Sequence, residues 1–223
     1  MSVSTLSLAR TGPRRRPILA APAALEALPE ASLASDEELL AIIAGDAGDD
    51  LWRRFGSLAA ALGGDRCELG RTGGADLAWT FTVLQECAIR MGRASLTRRP
   101  LFSSHAAVTD YLTTAMAWRG REQFRVLFLD TKNHLIVDEV MNEGTNDHAP
   151  VYPREVVRRA IEVDAAAVIL AHNHPSGDPT PSAADVEMTR QVVAAGQALR
   201  IKVHDHMIIG RDGAASLKAL GLM

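Results

Sequence analysis

The chain has 223 residues, 47% of them hydrophobic and 23% charged, an ordinary globular balance that can bury one substantial core or two smaller ones. A formal net charge of −3, with neither half strongly basic, excludes a protein whose main task is to coat nucleic acid. Two cysteines, Cys67 and Cys87, complete no thiolate metal motif and fit a cytoplasmic protein, and no apolar run reaches membrane-spanning length.

Residues 1–34 are rich in Ser, Pro and Arg and have no sustained period, so a disordered leader is expected. Arg10, Arg14, Arg15 and Arg16 ahead of an apolar stretch imitate an export signal, but Pro17, Pro22 and Glu26 interrupt it. Order is predicted to begin at Ser35-Asp36-Glu37-Glu38, a capping residue and acidic first turn ahead of Leu39, Leu40, Ile42 and Ile43. A second helix over 51–62, a short one near Cys67 and a longer one over 77–91 make residues 35–95 a small all-α domain. The polar stretch 94–100 reads as a linker.

The texture then changes, and residues 101–223 form the second expected domain. Ser103 or Ser104 can cap a helix that runs through Trp118 and ends at Gly120. Two strands, 124–130 and 135–141, flank Thr131-Lys132-Asn133-His134 as a hairpin. Pro153 suits the first turn of a helix to about Val163. A buried strand at 165–171, a Pro/Gly loop, a helix over 183–198 and a strand at 201–209 follow. Hairpin and alternating elements together predict an α/β fold with a mixed sheet flanked by helices, the loop lying at the sheet's edge.

That loop carries the chemistry. His172 and His174 are two apart at the end of a strand, so they project to one side while Asn173 points away. Pro175, Gly177, Pro179 and Pro181 forbid regular structure and deliver Ser182 and Asp185 to a helix start. Two imidazoles and a carboxylate are a ligand set for catalytic zinc, with the fourth position left for water. Taken singly, Ser182 and Asp185 also read as a helix cap. A nearby cluster, His204-Asp205-His206, puts His204 and His206 on one strand face, where they could bind a second ion. A second-shell or structural role is preferred for Asp205 and His206. Asp178 is read as fixing the loop's turn.

His172-x-His174, seven residues, then Ser182-x-x-Asp185 resembles the JAMM motif of MPN-domain (JAB-like) metalloproteases, whose layers are related to those of cytidine deaminases. The run His172-Asn-His-Pro-Ser-Gly-Asp178, with Phe128-Leu-Asp130, Tyr152-Pro-Arg-Glu155 and Asp205-His206, is similar to the bacterial RadC family in particular. The resemblance covers residues 35–223, strongly after 101. It implies an upstream glutamate as general acid/base, a place that Glu122 occupies, with Glu139 and Glu143 as runners-up. It further implies Zn²⁺ on His172, His174 and Asp185, Ser182 donating to an oxyanion, and hydrolysis of a peptide or isopeptide bond in a peptide or protein substrate.

In RadC-like proteins the N-terminal region resembles a helix-hairpin-helix, which makes DNA the competing partner and a DNA-associated accessory protein with an MPN binding scaffold the competing function. Here Thr72 replaces the first expected glycine, Asp76 sits beside the presumed phosphate and Leu77 stands where lysine is common, all unfavourable to a phosphate contact. Nucleoside deamination is set aside because it draws thiolates from a Pro-Cys-x-x-Cys segment that this chain lacks.

Overall fold

The computed structural model describes residues 34–96, 105–144 and 151–223. The leader as far as residue 33, the caps at Ser103 and Ser104, and residues 97–100 of the expected linker lie outside the described residues.

Helix α1 (Asp36–Ala44) opens on a capping box: the Ser35 hydroxyl accepts the Glu38 N–H, and the Glu38 carboxylate accepts the Ser35 N–H at 2.7 Å. The single helix expected over 51–62 is instead two, α2 (Gly48–Phe55) and α3 (Leu58–Gly63). Gly56 ends α2 in the left-handed region, with φ 71°, and Ser57 caps α3 through the Ala60 N–H. Helix α4 (Arg66–Leu96) joins the short and long helices expected there through non-helical Gly74, φ 84° and ψ 172°, a conformation that only glycine adopts without strain. It continues through 94–96, part of the expected linker. Leu40, Leu51, Leu69, Leu77 and Phe81 form these helices' own core.

The remainder is a mixed α/β layer structure. Helix α5 (His105–Met116) is followed by β1 (Gln123–Leu129), β2 (Leu135–Glu143), α6 (Pro153–Glu162), β3 (Ala167–Asn173), α7 (Ala183–Gln197), β4 (Lys202–Gly210) and β5 (Gly213–Ser216). The sheet order is β2-β1-β3-β4-β5, with only β3 and β4 parallel. Side-chain alternation divides the strands between two cores. Leu127, Leu129, Ile169, Ala171, Met207 and Ile209 pack on α5, and Phe124, Val126, Phe128, Val168 and Leu170 pack towards α6 and α7.

Two expectations are corrected here. Strand β3 lies in the middle of the sheet, so the Pro/Gly loop leaves the carboxyl end of a central strand, where ligand sites of open α/β sheets gather. In β4 the register against β3 slips so that Val168 opposes Val203 while Ile169 opposes Asp205. His204 is the extra residue of this bulge. It lines a cavity on the α5 side with Asp205, away from His206, and its Nε2 meets Asn133 Oδ1 at 2.9 Å. The shared face that would let His204 and His206 bind a second ion does not exist.

Candidate metal centre

Antiparallel pairing of β1 with β3 sets Phe124 opposite His172, which brings the start of β1 beside the end of β3. Parallel pairing of β3 with β4 sets Leu170 beside His206, and α7, the crossover between them, begins over the strand ends. One corner of the sheet therefore collects residues from positions 122 to 206.

The Nε2 atoms of His172 and His174 lie 3.0 Å apart. Asp185 Oδ1 is 3.2 Å from the first and Oδ2 3.7 Å from the second. Among the described residues, His172, His174 and Asp185 are the His, Cys, Asp and Glu group whose ligand atoms all fall within 4.8 Å of one another. The cap and the ligand spacing coexist: the Ser182 hydroxyl accepts the Asp185 N–H and donates to Asp185 Oδ2 at 2.6 Å, holding the carboxylate at the head of α7.

The hydrogen bonds behind the imidazoles decide which ring nitrogens carry lone pairs. The Asp185 carbonyl can only accept, so the Thr189 hydroxyl, 2.6 Å away, donates to it. Thr189 Oγ1 then accepts from His206 Nδ1–H at 2.6 Å. Burial pushes the His206 imidazole well below the usual histidine range, so it is neutral and its Nε2 accepts from His172 Nδ1–H at 2.8 Å. His172 is left with a lone pair on Nε2. His174 Nδ1 donates to the Asp178 carbonyl at 2.8 Å, with the same consequence. Two lone pairs and a carboxylate thus face one point with no protein donor between them, a donor set that fits a borderline divalent cation such as zinc.

The charges agree. The facing Asp185 carboxylate, opposed by burial, raises the pKa of His174, and the Asp178 carbonyl and the negative charge of Glu122 add to it. Burial works against ionised Asp185, but the facing imidazoles of His172 and His174, which attract it once protonated, outweigh that and hold the carboxyl far below its usual range. Glu122, half-buried in the residue before β1, is therefore within electrostatic reach of the cluster. Of the runners-up, Glu139 pairs with Arg159 on α6, with Nε to Oε2 at 2.8 Å, and Glu143 accepts from Gln123 Nε2 at 3.2 Å.

The loop is built to stay in place. Asp178 Oδ1 accepts the Thr180 N–H at 2.9 Å and its hydroxyl at 2.6 Å, which fixes the turn. Gly177, at φ 101°, passes so close to Gly210 that a Cβ on the latter would overlap the Gly177 carbonyl. Arg211 Nη2 donates to the carbonyls of Pro175 and Ser176. Asp205 lies across the sheet, accepting from Ser216 Oγ, its neighbour's N–H and the Lys218 N–H.

Sequence reasoning missed two residues. Asn173, fully buried between the histidines, accepts the Gln123 N–H at 2.9 Å and donates to the carbonyls of Arg121 and Arg119, which fixes the segment bearing Glu122. Thr189 supplies the relay described above. Its signal was available: a hydroxyl residue four after Asp185, on the helix face that turns inward.

A helix-sandwiched mixed sheet with this cluster at the end of its central strand is the architecture of the JAB class. Residues 102–222 match the family model of the RadC-like JAB domain, and the chain belongs to that family. Among the described residues no helix is long and apolar enough to cross a membrane.

Proposed function

We propose that this protein is a zinc-dependent hydrolase that cuts a peptide or isopeptide bond in a protein or peptide substrate, and that it works in the cytoplasm. The observation carrying the reading is the pair of Nε2 lone pairs, 3.0 Å apart and each fixed by a donor bond from Nδ1, beside a carboxylate with low proton affinity. His172, His174 and Asp185 would hold the ion. When bound, zinc supplies Lewis acidity that lets water ionise near neutral pH.

In this reading Glu122 takes a proton from the attacking water on a carboxylate oxygen and returns it to the departing amine nitrogen, a role worth roughly 10² to 10⁴ in rate. Asn173 steadies the segment leading to Glu122 by holding the backbone on either side of Gly120. The Ser182 hydroxyl, now bonded to Asp185, serves the developing oxyanion by exchanging that partner. Residues 35–95 are proposed as a separate small helical domain, on the strength of their own core. DNA is the less favoured partner, since Asp76 stands exposed two residues after Gly74, where a phosphate would sit.

The test is hydrolysis of peptide and isopeptide substrates by the full-length protein beside Glu122→Gln. The variant is expected to keep its zinc and lose turnover by about 10² to 10⁴. Turnover equal to wild type would remove Glu122 from the reaction.

A further inference from the structure

A cleft lies between the N-terminal helices and the segment after α5, and it reaches the ligand loop at Pro175. Its larger part, ≈ 830 Å³, runs from the α3–α4 turn past Arg66 and Arg71 to Arg119, Arg121 and Glu143. Its smaller part, ≈ 290 Å³, continues past Arg54 and Trp118 to Pro175 and Arg211, the underside of the ligand loop. Arg119 is in the wall of both. The cleft is framed rigidly: a Cβ on Gly63, at the end of α3, would overlap Trp118, and Asn173 ties the carbonyls of Arg119 and Arg121 to the metal-bearing strand.

The acidic groups lining the cleft already have partners. Glu68 pairs with Arg54, Glu86 with Arg90, Glu143 accepts from Gln123, and Asp65 caps the start of α4 through the N–H groups of Cys67 and Glu68. Arg119 is different. It is half-buried, its Nε donates to the Ala115 carbonyl at 3.3 Å, and among the described residues no carboxylate comes within ion-pair distance of it. Burial and the nearby Arg125 lower its pKa, with Glu143 and Glu86 acting only from further off. Both Nη groups lack a protein acceptor among the described residues. A planar fork of donors with no anion, fixed in a wall, is a receptor for a carboxylate.

We propose that Arg119, assisted by Arg121, binds one carboxylate of the substrate, so that the enzyme takes polypeptide segments presenting an isolated acidic side chain or a chain terminus and leads them along this cleft towards the ligand loop. The proposal rests on the hydrolase reading of the metal centre and names its substrate class. A nucleic acid would suit the cleft less well, because a continuous row of phosphates would run against Asp65, Glu68, Glu86 and Glu143, whereas an acidic side chain or chain terminus asks for one free guanidinium.

The test is fluorescence anisotropy on the full-length protein, held in chelator so that no bond is cut. The probes are a labelled, C-terminally amidated peptide of alanine and serine with one central glutamate, the same peptide with glutamine for that glutamate, and a labelled single-stranded oligonucleotide. The acidic peptide should bind, and the glutamine peptide and oligonucleotide should bind more weakly. Arg119→Gln should weaken the acidic peptide by about 10- to 100-fold, the worth of a charged hydrogen-bonded pair, with Arg119→Lys between. Equal affinity for the two peptides, tighter binding of the oligonucleotide, or an Arg119→Gln protein as tight as wild type would overturn the proposal. Zinc uptake by the same proteins after removal of the chelator reads the metal centre separately: its failure would strike the hydrolase reading and leave an Arg119-dependent peptide site standing.

Discussion

The side-chain amide of Asn173 donates to the backbone carbonyl of Arg121 at 3.1 Å, and through that contact the end of β3, between the two histidines, holds the segment bearing Glu122. Since the same side chain also accepts the Gln123 N–H, one buried residue holds the chain on both sides of the proposed proton acceptor, beside the Gly144 N–H that the Glu122 carbonyl accepts. Asn173→Ala leaves the Gln123 N–H and two carbonyls without their partner and should cost about 1–3 kcal/mol of stability. Turnover should fall further than zinc content does. Denaturant unfolding and zinc analysis on one preparation check this, and an unchanged turnover would show that Glu122 is positioned by something else.

Thr189 should govern metal affinity without touching the metal. Thr189→Val keeps the shape but leaves His206 Nδ1–H without its acceptor, which frees His206 to change tautomer and weakens the hold on His172 Nδ1–H. Zinc affinity should drop about 10- to 100-fold, and Thr189→Ser should restore most of it. A competition titration against a chromogenic chelator measures both, with wild-type affinity in the valine variant as the contrary result.

Acid should expel the metal earlier than free histidine would suggest. Asp185 raises the pKa of His174, so on lowering the pH a proton competes with the cation for His174 Nε2 from above the ordinary value of about 6.5. Zinc affinity is then flat at higher pH and declines before that value is reached. Affinity constant down to pH 6 in the same titration would show that His174 is no ligand.

Away from the site, Asp138 anchors the layers. Its buried carboxylate accepts from Arg125 Nη1 at 2.6 Å and from the Tyr111 hydroxyl, and Arg93 of α4 approaches within 3.3 Å. Asp138→Ala leaves the Arg125 charge buried without its carboxylate, with only Tyr111 and Gln123 still accepting from it, and should cost about 3–5 kcal/mol. The midpoint of denaturant unfolding should move accordingly, while zinc stoichiometry in the folded fraction stays the same.

His204 offers a pH signature of the bulge. Burial, with Lys218 and Lys202 nearby, brings its pKa down to about 4. The folded protein resists a proton that the unfolded chain accepts near 6.5, so this residue's contribution is intact above that pH and lost as pH falls towards 4. Imidazole proton shifts should show one histidine titrating near 4 that disappears in His204→Gln.

What the sequence discloses here is what lies close along the chain. His172, His174, Ser182 and Asp185 sit within one strand, loop and helix start, and their spacing alone implies a shared site. Ser35 and Pro153 announce their helices for the same local reason. A supporting role for His206 is expected from the sequence and Thr189 is marked by its spacing from Asp185, but Asn173 acts through strand register, which no spacing encodes, so its hold on the segment before β1 becomes visible only in three dimensions. The bulge at His204 defeats strict alternation, because one extra residue reverses the face. Strand β5, Gly-Ala-Ala-Ser, has none of the β-branched or aromatic residues that mark a strand; it forms because the turn after Gly210 folds it back on β4.

The central claim is that one divalent cation is shared by His172, His174 and Asp185. The most direct measurement is zinc stoichiometry of the purified full-length protein beside the separate His172→Ala, His174→Ala and Asp185→Ala variants, each checked for a native circular dichroism spectrum. One equivalent in the wild type and little or none in each folded variant is the predicted result. A full equivalent retained by all three would contradict it.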